Sequence, residues 1–375
     1  QASEQTEKLS SSRYPFTRLI KSLPPTVPFV PPEALERRNG RPLAVRVGAN
    51  ESAFGISDRA RAAMAEAVDR IGWYNDPEAY DLRHGIAAFH GVRPAEVSVG
   101  AGIDELLGLV VRLCIEPGDP VVSCKGSYPT FHYHLAGFGA ALHQVPYLDD
   151  REDVGGLLRL AHEVDAHLAY VANPDNPMGT WNRGTEVERL CTELPEECLL
   201  VLDEAYVEFA PAAARLAGEG VMPGAIRLRT FSKAHGMAGA RVGYAIAEAE
   251  MVEALDKVRN HFAVNRVAQA GALASLGDRA FVEQVVSQVA EGREEYAALG
   301  RELGLPILPS ATNFVAIDLG SGARARAALA ALLERDVFVR MPGVAPLDRC
   351  IRVTVGTSSE RIRFAEVFRE VLETL

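Results

Sequence analysis

Long hydrophobic runs are missing from this 375-residue chain. None approaches the roughly 18 apolar residues that a membrane-spanning helix needs, so a membrane is not an expected partner. Cysteine is scarce. The five present (Cys114, Cys124, Cys191, Cys198, Cys350) are odd in number and scattered, which excludes a disulfide framework. Their apolar neighbours read as buried thiols in a reducing compartment, so a cytoplasmic location is expected. An excess of basic residues is also lacking: 39 Lys and Arg stand against 50 Asp and Glu, a net charge of -11. That balance argues against nucleic acid as a partner, and any anionic ligand needs a local cationic pocket. Residues Gln1 to Ser12 are polar, without the apolar core of a secretion signal. No repeat or low-complexity tract occurs. His132 and His134 lie two apart on a helix candidate and point to different sides, so no metal site is expected.

What is present is a chain that is 48% hydrophobic, enough for two domains at about 150 residues each. Residues 1–44 read as an arm in which Pro24, Pro25, Pro28, Pro31 and Pro32 exclude a helix or central strand; Glu33–Arg38 reads as a short exposed helix. From residue 45, short β-rich runs alternate with helical ones. Glu96–Val99, Pro120–Cys124, Ala141–Val145, His167–Ala172, Cys198–Asp203, Ile226–Phe231 and Val242–Ile246 are strand candidates. Most are continuous apolar runs, as in a mostly parallel sheet covered by helices on both faces. The fold class is therefore α/β, a three-layer large domain over 45–255. A smaller α+β domain over 256–375 follows, entered through a long helical stretch, Met251–Leu276, then Arg279–Leu303.

Chemistry concentrates where strands end. The segment Thr230-Phe231-Ser232-Lys233-Ala234-His235-Gly236-Met237-Ala238-Gly239-Ala240-Arg241 sets a lysine at the close of an apolar strand and an arginine eight residues on. Lysine is rarely buried unless paired or functional, and desolvation makes its amine nucleophilic at neutral pH. Thr230, Ser232 and Arg241 together suit a phosphate. The plainer alternative is an exposed loop lysine with the glycines serving a turn. Two other strand ends carry Asn176, in Asn173-Pro174-Asp175-Asn176-Pro177-Met178-Gly179, and Asp203 with Tyr206, in Asp203-Glu204-Ala205-Tyr206. Ligands collect at the carboxyl ends of strands in open α/β sheets. A carboxylate for a pyridine nitrogen, a donor for a phenolate and an amine for an aldehyde are what pyridoxal phosphate requires. Gly100-Ala101-Gly102-Ile103-Asp104 joins a strand to a helix whose first amides suit an anion, and Tyr128 is placed to stack on a planar ring.

Together, Asn-Pro-x-Asn-Pro-x-Gly, Asp-Glu-Ala-Tyr and Ser-Lys-Ala-x-Gly-x-x-Gly-x-Arg resemble the fold-type I pyridoxal-phosphate aminotransferases. Glu208-Phe209 and Arg352-Val353-Thr354-Val355-Gly356-Thr357 make the chain most similar to the histidinol-phosphate aminotransferase branch. The resemblance implies a homodimer acting on an amino donor and a 2-oxo acid. It implies Lys233 as the Schiff-base lysine and proton carrier, with Asp203 on the ring nitrogen. Asn176 and Tyr206 fall on the phenolic oxygen and Tyr128 on the ring face. Thr230, Ser232, Arg241 and the amides of Gly102, Ile103 and Asp104 fall on the phosphate. Tyr74 is implied to reach the phosphate of the neighbouring subunit's cofactor. Asn50 and Arg352 fall to the substrate carboxylate end and Arg340 to a distal substrate phosphate. The chain departs from the family pattern at Asn50-Glu51-Ser52-Ala53, at His261, and in Leu23-Pro24-Pro25-Thr26-Val27-Pro28-Phe29, which lacks the arm tyrosine near that phosphate. That departure leaves open an aromatic or other bulky donor. A decarboxylase or lyase on the same scaffold, or a regulator without turnover, is also left open.

Overall fold

The computed structural model describes residues 13–25 and 30–375. Thr26–Phe29, part of the tyrosine-less arm stretch, lies outside the described residues. Among the described residues, eleven strands run in chain order: β1 (Val45–Arg46), β2 (Val97–Gly100), β3 (Pro120–Cys124), β4 (Ala141–Val145), β5 (Leu168–Ala172), β6 (Leu199–Asp203), β7 (Ala225–Thr230), β8 (Gly243–Ile246), β9 (Phe314–Asp318), β10 (Val337–Phe338) and β11 (Cys350–Thr354). Seven form one sheet in the order β2-β8-β7-β6-β5-β3-β4. Only β8 runs against its neighbours, so the other six strands end along one edge.

The continuous apolar runs have the anticipated cause. Along β5, Leu168, Tyr170 and Ala172 pack on one face with Leu106, Leu107 and Val110 of the helix Ile103–Cys114. Ala169 and Val171 pack on the other with Leu157, Val187 and Leu190. Alternate side chains point to opposite faces, and both are covered. Fully burying one such leucine contributes about 1.5–3 kcal/mol.

Beyond the sheet, β9 and β11 form an antiparallel pair. Val45 and Val47 join the core of this second unit, because β1 pairs with β10. Two expectations need correction. The stretch Met251–Leu276 is not one helix: Ala249–Asp256 and Arg266–Leu276 are separated by a turn, and Asn265 caps the second by accepting from the Ala268 amide. The arm also coils upstream of the prolines, at Arg18–Ser22, where no helix was expected. The short helix expected at Glu33–Arg38 forms as Pro32–Asn39, starting with proline where a helix needs no amide donor. That second helix is not merely exposed, since Pro32 and Leu35 are buried.

Candidate active site

The sheet edge where the strands end opens onto a cavity of about 1060 Å³. Three adjacent strand ends supply its floor. Register places Ala172 of β5 beside Asp203 of β6, and Asp203 beside Leu228 of β7. Asn176, Asp203 and Lys233 therefore follow one another across the edge, and all three line the cavity with Tyr206, Tyr128, Thr230, Ser232 and Arg241.

Lys233 is partly buried, and its Nζ donates to the Asn50 carbonyl at 3.2 Å. Burial lowers its pKa to about 8, with the Arg352 charge acting the same way. A neutral amine is thus accessible near physiological pH. Asp203 is buried; its Oδ2 accepts from the Tyr170 hydroxyl at 2.9 Å and its Oδ1 from the Ala205 amide at 3.0 Å. Burial lifts it to about 6, against the pull of those donors. Tyr206 accepts at its hydroxyl from Asn50 Nδ2 at 3.0 Å, and burial raises its pKa.

Asn50 holds a left-handed backbone at φ 56. Its amide donates to Thr354 Oγ1 at 3.0 Å, and its carbonyl accepts from Asn313 Nδ2 at 3.0 Å as well as from Lys233. The asparagine thus ties the lysine and Tyr206 to β11. Arg352, on β11, donates to Asn176 Oδ1 at 2.6 Å and to the Gly48 carbonyl at 3.2 Å. Its Nε is buried without a hydrogen-bond partner, and burial lowers its pKa to about 10. Buried guanidinium groups are ordinarily satisfied, so this nitrogen fits a substrate carboxylate. Arg340 pairs in an isolated antiparallel bridge with Arg352 and donates to the Val30 carbonyl at 3.2 Å, which ties the arm to the cavity wall.

A phosphate cradle is built beside the lysine. The helix Ile103–Cys114 starts at Gly102, at φ 86, with no side-chain cap, so its first amides are unclaimed by a capping residue. A Cβ on Gly102 would collide with the Arg241 guanidinium. Only glycine lets that cation lie over the helix start. The Thr230 hydroxyl donates to Ser232 Oγ at 2.9 Å, and Arg241 Nη1 donates to the same oxygen at 3.4 Å. Tyr128 donates its hydroxyl to Asp104 Oδ1 at 2.8 Å. Hydroxyls, helix amides, an arginine, a lysine and a buried carboxylate form a donor set that fits pyridoxal phosphate.

Tyr74 stands apart from the cavity. It is 81% exposed, with its ring 4.9 Å from that of Phe262. Sequence reasoning missed Asn313, Thr354 and Tyr170, polar residues in apolar or loop surroundings whose partners lie far away in the chain. His132, set aside as a ligand, shares its Nε2 with the hydroxyls of Ser123 at 2.8 Å and Ser127 at 3.3 Å. No group of residues suited to a metal ion occurs among the described residues, and no helix among them is long and apolar enough to cross a membrane.

The sequence model of the family "Aminotransferase class I and II" matches residues 44–368. Histidinol-phosphate aminotransferase 2 of Carboxydothermus hydrogenoformans is 36% identical over 366 residues, 96% of this chain and 99% of that one. The histidinol-phosphate aminotransferase of Roseiflexus castenholzii is 36% identical over 94% of this chain and 96% of its own length. Among solved structures, histidinol-phosphate aminotransferase from Sinorhizobium meliloti, in complex with pyridoxal 5′-phosphate, superposes with a TM-score of 0.94. It is 46% identical, covering 97% of this chain and 99% of that one.

Proposed function

The chain belongs to the class I and II aminotransferases, and from that premise we propose that it is a histidinol-phosphate aminotransferase that passes the amino group to 2-oxoglutarate. It is a pyridoxal-phosphate-dependent transaminase. The observation that carries the finer reading is the pairing of Arg352 and Arg340 on one wall of the cavity that holds Lys233. Two cations side by side suit a substrate with an anion at each end, an α-carboxylate and a distal phosphate.

When bound, the cofactor supplies an aldehyde and a protonated ring that takes up electron density from the substrate Cα. The chain's own residues supply the rest. Arg241, Ser232, Thr230 and the amides of Gly102, Ile103 and Asp104 would hold the phosphate. Asp203 would keep the ring nitrogen charged, Asn176 and Tyr206 would serve the phenolic oxygen, and Tyr128 would serve the ring. Lys233, with its pKa lowered to about 8, carries the proton from substrate Cα as general base and returns it as general acid. Arg352, with Asn176 and Asn50 beside it, orients the α-carboxylate. Residues 45–255 act as the cofactor-binding unit and 256–375 as the substrate-closing one, with β1 going to the second.

Homodimer formation is supported by the exposed large apolar side chains Ile71, Trp73, Tyr74, Tyr80 and Phe262, of which Tyr74 and Phe262 are in ring contact; exposed apolar patches mark interaction surfaces. Tyr74 of one protomer then serves the partner's phosphate. The unpaired cysteines fit a cytoplasmic enzyme of amino-acid biosynthesis.

A donor screen followed by the cofactor's absorbance tests the reading. Histidinol phosphate should convert the bound cofactor to its amine form, and Arg340→Ala should lose that conversion while sparing unphosphorylated donors. The cavity wall of Leu35, Leu329, Leu333 and Phe338 favours a second reading, a bulky apolar donor. Conversion by phenylalanine and not by histidinol phosphate would establish that one instead.

A further inference from the structure

Tyr170 is fully buried in the middle of β5, surrounded by Leu168, Ala169, Val171 and Ala172. Its ring stacks on that of Phe131 with centroids 4.6 Å apart. Phenylalanine would fill the same space, so packing does not account for the hydroxyl. That hydroxyl is spent on one contact, donation to Asp203 Oδ2 at 2.9 Å across the β5–β6 pair. Among the described residues, the other donor to this carboxylate is the Ala205 amide on Oδ1 at 3.0 Å. An ionised carboxylate has about four acceptor positions; two are filled and the rest are left toward the cavity.

The surroundings make the contact matter. Asp203 is faced by Lys233 and Asp104 across the cavity, and it acts electrostatically on Asp175, Glu152 and Tyr206. Three of those groups are acids, which together with burial disfavour a charged carboxylate. Lys233 is a cation that acts against them, and it serves another atom. The Tyr170 hydroxyl, a neutral donor fixed by the sheet register, joins the Ala205 amide in keeping Asp203 charged and aimed. We propose that Tyr170 is a positioning residue for the cofactor ring, acting through Asp203: it holds the carboxylate ionised and oriented toward the ring nitrogen. The inference rests on the pyridoxal-phosphate reading above.

The test compares wild type and Tyr170→Phe as apo-proteins. Each is titrated with pyridoxal phosphate and with 1-deazapyridoxal phosphate, in which the ring nitrogen is a carbon. Losing one hydrogen bond to a charged group should weaken pyridoxal phosphate binding by roughly 10-fold or more and leave the deaza compound's affinity unchanged. In the loaded enzyme, kcat should fall about 10-fold with the donor's KM preserved. An equal change for both compounds means Tyr170 only supports the fold, and no change means its hydroxyl is idle; either result overturns the inference. A wild-type protein that binds neither compound would overturn the cofactor reading itself and this inference with it.

Discussion

Glu204, next in sequence to Asp203, gives the sharpest stability prediction. Its carboxylate meets two arginines that follow each other on one face of β7. Arg227 donates to both oxygens, at 2.9 and 3.0 Å, and Arg229 donates to Oε2 at 3.1 Å. All three side chains are nearly inaccessible, at 3%, 2% and 6%. Of the two arginines, Glu219 contacts Arg229, at 2.9 Å, and carbonyls of Gly218 and Gly220 take Arg227 Nη1. Glu204→Gln therefore leaves Arg227 buried with no carboxylate partner. Breaking a buried pair from one side costs about 3–5 kcal/mol. The assay is urea unfolding, with the free energy taken from midpoint and slope. Burial alone would raise the pKa of Glu204, yet the Arg229 and Arg227 charges outweigh it and hold it lowered. A depressed carboxylate stabilises the fold above its unfolded value and loses that contribution as pH falls through its folded value. The gap between wild type and variant should accordingly be widest near neutrality and narrow under acid conditions. A neutral-pH loss below about 1 kcal/mol, the range of surface pairs, would refute the reasoning.

Other perturbations act on the site directly. Because burial sets Lys233 at about 8 against an ordinary 10.5, the folded apo-protein favours the neutral amine. Its stability from this group rises with pH between those values, and Lys233→Met should be the more stable apo-protein at pH 7, by an amount that vanishes above 10.5; thermal unfolding of both at pH 7 and 11 checks this. Gly102→Ala must place a methyl at φ 86 against Arg241, and titration with pyridoxal phosphate should read an affinity at least about 10-fold weaker. Arg352→Lys keeps the charge and loses the planar fork, so steady-state kinetics should show the amino donor's KM raised by about 10-fold or more. Tyr74→Ala should lower cofactor affinity in the same titration, while sedimentation still reports the proposed dimer.

Much of this site was legible because its residues sit at the ends of strands buried on both faces, where Lys233 and Asp203 interrupt apolar runs. Those interruptions have no packing explanation and so point to chemistry. Tyr170 gave no such signal, since an aromatic inside an apolar strand reads as core. Its partner lies 33 residues away. Asn313, which holds the Asn50 carbonyl from 263 residues away, is invisible for the same reason. The helix Asp58–Val68 gives little signal because its apolar stripe is thin, with only Ala60 and Ala67 buried. The turn between Asp256 and Arg266 was hidden by helix-forming residues on both sides; the Asn265 cap overrides them.

Borohydride reduction of the pyridoxal phosphate-loaded protein, followed by peptide mass mapping, tests the central assignment most directly, because it fixes the cofactor to the amine that holds it. A single modified residue, Lys233, is expected, and none in Lys233→Ala. Modification of Lys125, Lys257 or another lysine, with Lys233 untouched, would contradict it.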